Sequence, residues 1–332
     1  MSKLPLFATF LAVLAGPIRA EVPQVVTDIA PIHALTAQVM DGVGVPELLV
    51  RPGLSPHSYA LRPSQASALQ DADLVVWVGE GLAPWLEKPL ASLAGGSDML
   101  ELMEAEGTLR LPYRGAADVL AAAAGQDDHD GHDDHDGHAA EAGHDDHDDH
   151  AKEETGYHHH GAYDPHAWLD PQNGSLWLGL IAERLATLDP EHAEIYRANA
   201  IAGQAEIAAA VAEAAETLRP MQGVAFVSYH DAFQYFERRF GLTLVGTVTP
   251  GDATDPSPAQ LAQLRDRLVD LGVRCAFSEP QFDTRLLQAA VAGRDIPILE
   301  LDPLGRAHEL GKGLYPALIR DLGTGFSACV GG

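Results

Sequence analysis

The stretch VAFVSYHDAFQYFERRFGLTLVGTV, residues 224–248, decides the fold of the second half of this chain. An apolar run, VAFVSY, is followed by a helical pattern, DAFQYFERRF, and then by a second apolar run, LTLVGTV. A buried strand, a helix and another buried strand in this order are typical of a βαβ unit with parallel strands. His230 stands directly after the first strand, at the end where open α/β sheets bind their ligands.

The same alternation continues on both sides of this unit. Downstream, the strand-like runs VRCAFS and IPILEL alternate with the helical patterns PAQLAQLRDRLVDLG, DTRLLQAAVAG and HELGKGLYPALIRDLG. Upstream, the strand-like runs QVVTDI, ELLV, DLVVWVG and DMLEL alternate with the helical patterns PIHALTAQVM, RPSQASALQ and LAPWLEKPLASL. Because strands that alternate with helices form parallel sheets flanked by those helices, the sequence predicts two α/β lobes.

A long helical segment separates the two series. NGSLWLGLIAERLATL is helical, and Pro190 restarts a second run that reaches Arg219. Its alanine-rich middle favours helix strongly, and about 30 residues would span about 45 Å. We therefore predict one long linking helix between the lobes. The predicted parts are an N-terminal lobe at 21–189, the linking helix at 190–220 and a C-terminal lobe at 221–332.

Residues 127–160 read DDHDGHDDHDGHAAEAGHDDHDDHAKEETGYHHH. This tract contains ten aspartates and ten of the chain's 16 histidines, but almost no apolar side chains. It cannot bury enough apolar surface to fold, so we predict a disordered loop at 126–160. Imidazoles and carboxylates at this density bind divalent cations, which predicts a secondary metal loop; a solvated spacer is the alternative. The histidines of this loop are His129, His132, His135, His138, His144, His147, His150, His158, His159 and His160.

The chain is strongly acidic. Its formal net charge of −27 at pH 7 would repel the phosphates of nucleic acid, and it favours cations as ligands. At 332 residues, 46% of them hydrophobic, the chain has the length and composition for about two ordinary domains. We therefore expect no nucleic-acid partner.

The N-terminus has the pattern of a secretory signal peptide. Lys3 supplies the positive charge, residues 4–15 are an apolar run, and the small residue Ala20 fits a cleavage site. We predict a signal peptide at 1–20 that is removed on export. A membrane anchor is the alternative, but the run is shorter than the ~20 apolar residues that a bilayer span needs.

The chain has two cysteines, Cys275 and Cys329. Two cysteines in an exported chain usually pair, so we predict a disulfide between them. It would attach the C-terminal tail to the second lobe. Two free buried thiols are the alternative.

Three histidines stand in loops beside the ends of predicted elements. His57 lies in RPGLSPHSYALRPS, His166 lies between two Asp-Pro turns in YDPHAWLDP, and His230 follows the strand VAFVSY. Asp302, in LELDPLG, follows another strand. Since both halves contribute, the economical geometry is one site in the cleft between the lobes. Three imidazoles and one carboxylate would give tetrahedral zinc, whereas calcium and magnesium prefer oxygen cages.

Other polar residues near these loops receive a different interpretation. Glu279 follows the strand VRCAFS, and we predict that it hydrogen-bonds a ligand histidine, with direct ligation as the alternative. His33, inside a helix, and His192, near a helix start, are interpreted as structural or surface residues. His308 stands close to Asp302 but is assigned to the helix that follows.

Five stretches together resemble one protein family over nearly the whole mature chain. They are HSYALRPSQASALQDADLVVWVGEGLAPWL, DPHAWLDP, SYHDAFQYFERRFGL, FSEPQF and LDPLG, and the His/Asp tract accompanies them. In this order they resemble the zinc-specific periplasmic solute-binding proteins of ABC transporters, the ZnuA type of the cluster A-I metal-binding family. The resemblance implies two Rossmann-like lobes, a rigid linking helix and a metal in the cleft.

The resemblance also implies the roles of individual residues. It gives His57, His166 and His230 the role of ligands, and it gives the fourth position to Asp302, where members differ between a carboxylate and water. Manganese-binding relatives use a carboxylate at the third position, so His230 favours zinc. The two cysteines match a disulfide that is found in some members.

The function that follows from the resemblance is transport. We expect a monomeric periplasmic protein that binds Zn²⁺ and delivers it to the membrane permease of a zinc ABC transporter. Manganese or nickel specificity, and a metal-storage or adhesin-like role, are the alternatives. A zinc hydrolase is a weaker rival, because the chain has no HExxH motif and Glu279 is the only evident candidate for a general base.

Overall fold

The computed structural model describes residues 22–114, 163–249 and 257–331. The described part forms two parallel sheets, with helices packed on and between them. The predicted signal peptide at 1–20 and the predicted loop at 126–160 lie outside the described residues, so both remain predictions.

The first sheet contains the upstream strands, in the order β2-β1-β3-β4 and all parallel. Its connections are the helices α1, α2 and α3, and each strand and helix that the sequence predicts in this region is present. The elements are β1 (Val25–Thr27), α1 (Ala30–Val39), β2 (Glu47–Leu48), α2 (Pro63–Asp71), β3 (Leu74–Trp77), α3 (Glu87–Leu93) and β4 (Asp98–Glu101).

Two helices lead from the first sheet to the second. The helix α4 (Pro171–Leu188) begins after Asp170, whose carboxylate accepts the backbone N–H of Gln172 at 2.9 Å and so caps the helix. The helix α5 (Ala193–Thr217) has 25 residues, or about 37 Å. It is the predicted long helix, and a 3₁₀ turn precedes it and another follows it.

The second sheet repeats the strand order of the first, as β6-β5-β7-β8, and all its strands are parallel. The predicted α/β class, with two parallel sheets and one long helix, is therefore confirmed. The elements are β5 (Ala225–Ser228), α6 (Gln234–Phe240), β6 (Thr243–Thr247), α7 (Pro258–Asp270), β7 (Cys275–Ser278), α8 (Arg285–Val291), β8 (Ile298–Glu300) and α9 (Leu314–Ser327).

The long helix α5 packs against both halves of the molecule. Its buried residues recur every three or four positions and form one stripe along the helix. It contacts α1 and α4 of the first half and α9 of the second. The approach to α9 is close, because a Cβ at Gly323 would lie 3.2 Å from the Cα of Ala214. The stripe consists of Tyr196, Ala200, Gly203, Ile207, Ala210 and Ala214.

One apolar core joins the inner faces of the two sheets. Leu74 and Val76 of β3 belong to the same buried cluster as Phe226 of β5 and Phe277 of β7. Val75 points to the other face of the first sheet and packs in a separate cluster. Since interiors are close-packed, a core that runs through both halves restrains their relative movement.

The last helix is shorter at its start than the sequence predicts. HELGKGLYPALIRDLG was assigned to one helix, but α9 begins only at Leu314. Gly311 has a φ of 140°, which a right-handed helix does not allow. The helix therefore cannot extend back through Gly311, and the residues before it form turns. The assignment of His308 to this helix is therefore wrong.

The predicted disulfide is present. Cys275 lies in β7 and Cys329 follows α9, and their sulfur atoms are bonded across 54 residues of sequence. Both residues are buried in the core that joins the sheets. The bond therefore attaches the C-terminal end of the described chain to the centre of the second sheet.

Removing this bond should destabilise the protein by about 4 kcal/mol, since a closed loop of 54 residues restricts the unfolded chain. We expect this loss in the free energy of unfolding of a C275A/C329A double variant, measured by urea denaturation. Wild-type protein whose disulfide has been reduced should have the same free energy of unfolding as the double variant. Equal stability of the oxidised wild type and the double variant would contradict the prediction.

Candidate metal centre

Three predicted ligands converge in the cleft. The centre of the His166 ring lies 5.3 Å from the centre of the His57 ring and 5.2 Å from that of the His230 ring. One ring nitrogen of each residue lies within 4.8 Å of the others, and the Nε2 atoms of His166 and His230 are 3.4 Å apart. Two nitrogens bound to tetrahedral zinc at about 2.0–2.1 Å would be separated by about 3.4 Å. The three imidazoles could therefore hold a metal ion.

The loop that carries His57 is held by an aromatic residue. The indole N–H of Trp85, just before α3, donates to the carbonyl oxygen of Pro56 at 2.6 Å. The ring of Tyr59 packs against Trp85 with its centre 5.3 Å away. The backbone N–H of His57 also donates to the Ser55 hydroxyl oxygen at 3.3 Å. These contacts fix the loop on both sides of His57.

His166 is oriented by a carboxylate that the sequence analysis missed. Its Nδ1 lies 2.7 Å from Oδ1 of Asp164, which also accepts the backbone N–H of His166 at 3.0 Å. Asp164 is only 2% exposed, and burial raises the pKa of its carboxyl group while the neighbouring imidazole opposes that rise. In the sequence, Asp164 looks like a turn residue before Pro165. The available signal was its position two residues before the predicted ligand His166.

His230 has an equivalent partner from the neighbouring strand. It follows β5, and Glu279 follows β7, which pairs with β5. The Nδ1 of His230 lies 2.5 Å from Oε1 of Glu279. The carboxylate of Glu279 is therefore placed to accept the Nδ1–H of His230, one of the predicted ligands. The two residues meet where the strand order of the second sheet reverses, which is the usual ligand site of such sheets.

These two carboxylates determine which ring nitrogen is available to a metal. A carboxylate that accepts the Nδ1–H group fixes the tautomer in which Nε2 carries the lone pair. Asp164 and Glu279 are each 2% exposed, so water does not compete for these bonds. His166 and His230 therefore present their Nε2 lone pairs toward each other and toward the cavity.

Asp302, expected as the fourth ligand, does not join this cluster. Its Oδ1 accepts the backbone N–H groups of Leu304 and Gly305 at 3.0 and 3.1 Å, and its Oδ2 accepts that of Arg306 at 2.6 Å. It lines a different cavity, together with His308. Within the described ranges, the three imidazoles alone form a metal-competent group. The structure thus does not bring Asp302 together with the three imidazoles, because its carboxylate is held by the turn after β8.

The remaining histidines of the described part stand outside the cluster. His33 is buried in α1, with Nε2 3.1 Å from a backbone carbonyl oxygen. His192 lies 2.7 Å from a carboxylate oxygen of Asp189, and His308 lies 2.7 Å from one of Asp321. His33 and His192 thus have the structural or surface places expected of them. The ten histidines of the tract at 127–160 lie outside the described residues.

Aromatic side chains from both halves form the walls of the metal cavity. The ring of Trp168 lies 5.2 Å from that of His166, and the ring of Phe282 lies 5.1 Å from that of His230. The indole N–H of Trp168 donates to the carbonyl oxygen of Pro303 at 2.8 Å, which joins the first half to the second. The lining of the cavity also includes Glu279, Gln281 and Leu304. The apolar surroundings strengthen the electrostatic interactions of a bound ion.

A second set of charges lies behind the ligands. The guanidinium of Arg114 donates to Asp231 at 2.9 Å and to the two oxygens of Glu237 at 2.9 and 3.1 Å. Asp231 directly follows His230, and Glu237 lies in α6. Burial raises the pKa of Glu237 to about 7, and the charge of Arg114 opposes that rise. The sequence analysis missed this cluster, because more than a hundred residues separate Arg114 from its partners and no local pattern marks it.

Changing Arg114 to alanine should cost about 3 kcal/mol of unfolding free energy, because Glu237 is left buried without its cation. The folded-state pKa of Glu237 would rise further above its unfolded value, so the fold would lose stability as the pH increases. The loss measured by urea denaturation should therefore be larger at pH 8 than at pH 5.

The control is Arg184→Ala, because Arg184 also contacts both oxygens of a carboxylate, that of Asp98, but is 46% exposed. This variant should lose at most about 1 kcal/mol at either pH. Equal losses in the two variants would contradict the assignment of a buried charge cluster.

Comparison with known proteins gives a consistent result. The family model described as ZnuA, zinc-uptake complex component A periplasmic, matches residues 25–329. The high-affinity zinc uptake system protein ZnuA of Paracoccus denitrificans is 46% identical, over 98% of this chain and 97% of the relative. The protein of the same name from Brucella abortus is 40% identical, over 99% of this chain and 98% of the relative.

A solved structure supports the fold. A crystal structure of ZnuA aligns with a TM-score of 0.71 at 24% identity, over 93% of this chain and 99% of that chain. Fold and site together define the class, a two-lobed α/β solute-binding protein with a candidate metal centre in its cleft. The chain belongs to the ZnuA family, the periplasmic component A of zinc-uptake complexes.

Family membership identifies the chain as a transport component and not as an enzyme. The hydrolase alternative is therefore not favoured. Within the described residues, none of the helices combines the length and the apolar character that a bilayer crossing requires.

Proposed function

We propose that this protein captures Zn²⁺ in the periplasm and delivers it to the membrane permease of a zinc ABC transporter. The mature protein would begin after Ala20 and act as a monomer. The observation that supports this function most strongly is the convergence of three imidazoles from both halves in one cavity. The full-length similarity to proteins named for high-affinity zinc uptake supports the same conclusion.

The composition of the cluster favours zinc over other divalent ions. Calcium and magnesium require several oxygen ligands, and a manganese site prefers carboxylates. The cluster offers three imidazole nitrogens, a set that zinc binds well. The two buried carboxylates, Asp164 and Glu279, hydrogen-bond the ligands and offset part of the ion's charge from the outer shell. Zinc is thus the proposed cargo.

The position of the cluster supports transport more than storage. Storage would favour many equivalent sites, whereas one buried group of ligands can hold one ion at high affinity. The proposed role of the tract at 127–160 is secondary, as a weaker binder that raises the local zinc concentration through its tether. The tract would then add binding capacity without defining the tight site.

A His57→Ala variant should lose the tight zinc-binding event, because it removes one of three ligands. We expect a larger loss than the ~10–100-fold that removal of an outer hydrogen-bond partner costs. Competition titration against a zinc chelator would measure it, and circular dichroism would verify the fold.

The matched control is His308→Ala. His308 also pairs with a carboxylate, at 2.7 Å, but it lies outside the cluster. This variant should keep the wild-type affinity. Tight binding that survives in His57→Ala would refute the proposed site.

Deletion of residues 127–160 should lower the number of zinc ions bound per chain while the tight event persists. The reason is that all three imidazoles of the cluster lie outside the deleted segment. Calorimetric titration of the mature protein with and without the segment would test this. Loss of both the tight and the weak events would identify the tract as the main binder.

A further inference from the structure

The cavity contains polar atoms that the proposed ligand set does not use. Oε2 of Glu279 is buried and has no hydrogen-bond partner among the described residues. The same is true of Oε1 and Nε2 of Gln281. Both residues line the cavity that holds the three imidazoles. A buried polar atom without a hydrogen-bond partner destabilises the fold. Three such atoms in two residues that line one cavity therefore indicate a polar group bound there.

The three histidines leave one position of a tetrahedral zinc ion for another ligand. Asp302 lies outside this group: it lines a different cavity, and its oxygens accept the backbone N–H groups of the turn that follows β8. Glu279 already uses Oε1 to hold His230. A fourth donor beside Oε2 of Glu279 and the amide of Gln281 would give these buried atoms a partner.

A water molecule has the matching chemistry. When its oxygen binds the metal, its two hydrogens need two acceptors. Oε2 of Glu279 and Oε1 of Gln281 are two such acceptors, and both residues line this cavity. We propose that Gln281, together with Oε2 of Glu279, holds a water molecule as the fourth ligand of the bound zinc. Gln281 is then a positioning residue that acts on the ion through this water, a role that rests on the proposed function.

The variants Gln281→Leu and Gln281→Glu test this role. Leucine removes both polar atoms at similar size, and the zinc affinity should fall ~10–100-fold, as for other outer-shell partners. Glutamate keeps an acceptor oxygen, so the affinity of this variant should lie well above that of the leucine variant. Competition titration of the mature protein measures both.

The matched control is Gln38→Leu. Gln38 also has a buried amide oxygen without a partner, but it lines a separate cavity between α1 and α5. Its substitution should leave the zinc affinity unchanged. If Gln38→Leu lowers the affinity as much as Gln281→Leu, the effect is general destabilisation and the proposal is overturned.

A spectroscopic measurement tests the water itself. Co²⁺-loaded wild-type protein in H₂¹⁷O should show a broadened electron paramagnetic resonance signal, because a ligand oxygen with nuclear spin couples to the metal. Absence of broadening, or wild-type zinc affinity in Gln281→Leu, would overturn the proposal. Failure of the wild type to bind zinc tightly would instead refute the proposed function, so the two failures are distinguishable.

Discussion

The site depends on two buried carboxylate–imidazole hydrogen bonds. Asp164 holds Nδ1 of His166 and Glu279 holds Nδ1 of His230, and all four residues are almost fully buried. Because these bonds fix the tautomers, the two Nε2 atoms face one point in the cavity. The fold itself therefore orders these two side chains, which lowers the entropic cost of binding an ion. This preorganisation is what a high-affinity carrier requires.

Contacts between the two halves hold the histidines of the site in position across the cleft. The helix α5 packs against elements of both halves, and one core joins the inner faces of the two sheets. Trp168 and Arg114, from the first half, reach Pro303 and Asp231 of the second. Because the interior is close-packed, this shared core holds the two halves of the site in a fixed relation to each other.

Much of the fold could be predicted from the sequence, because strands and helices alternate with clear periodicity and Pro or Gly stands at their ends. The three histidines could be predicted for a related reason, since each stands at a loop beside an element end. The contacts between residues far apart in the chain could not be predicted. Asp302 has the expected position in sequence, but backbone N–H groups take its oxygens. Arg114 carries no local pattern, and Gln281 stands in FSEPQF with nothing in that stretch to show which cavity it lines, since the surroundings of both are set by residues far away in the chain.

The most direct test of a preorganised three-histidine site is anomalous X-ray diffraction at the zinc edge from crystals of the zinc-loaded mature protein. The strongest peak should lie in the cleft, at about 2.0–2.1 Å from one nitrogen of each of His57, His166 and His230. A cleft without such a peak, with anomalous density only elsewhere on the chain, would contradict the central claim.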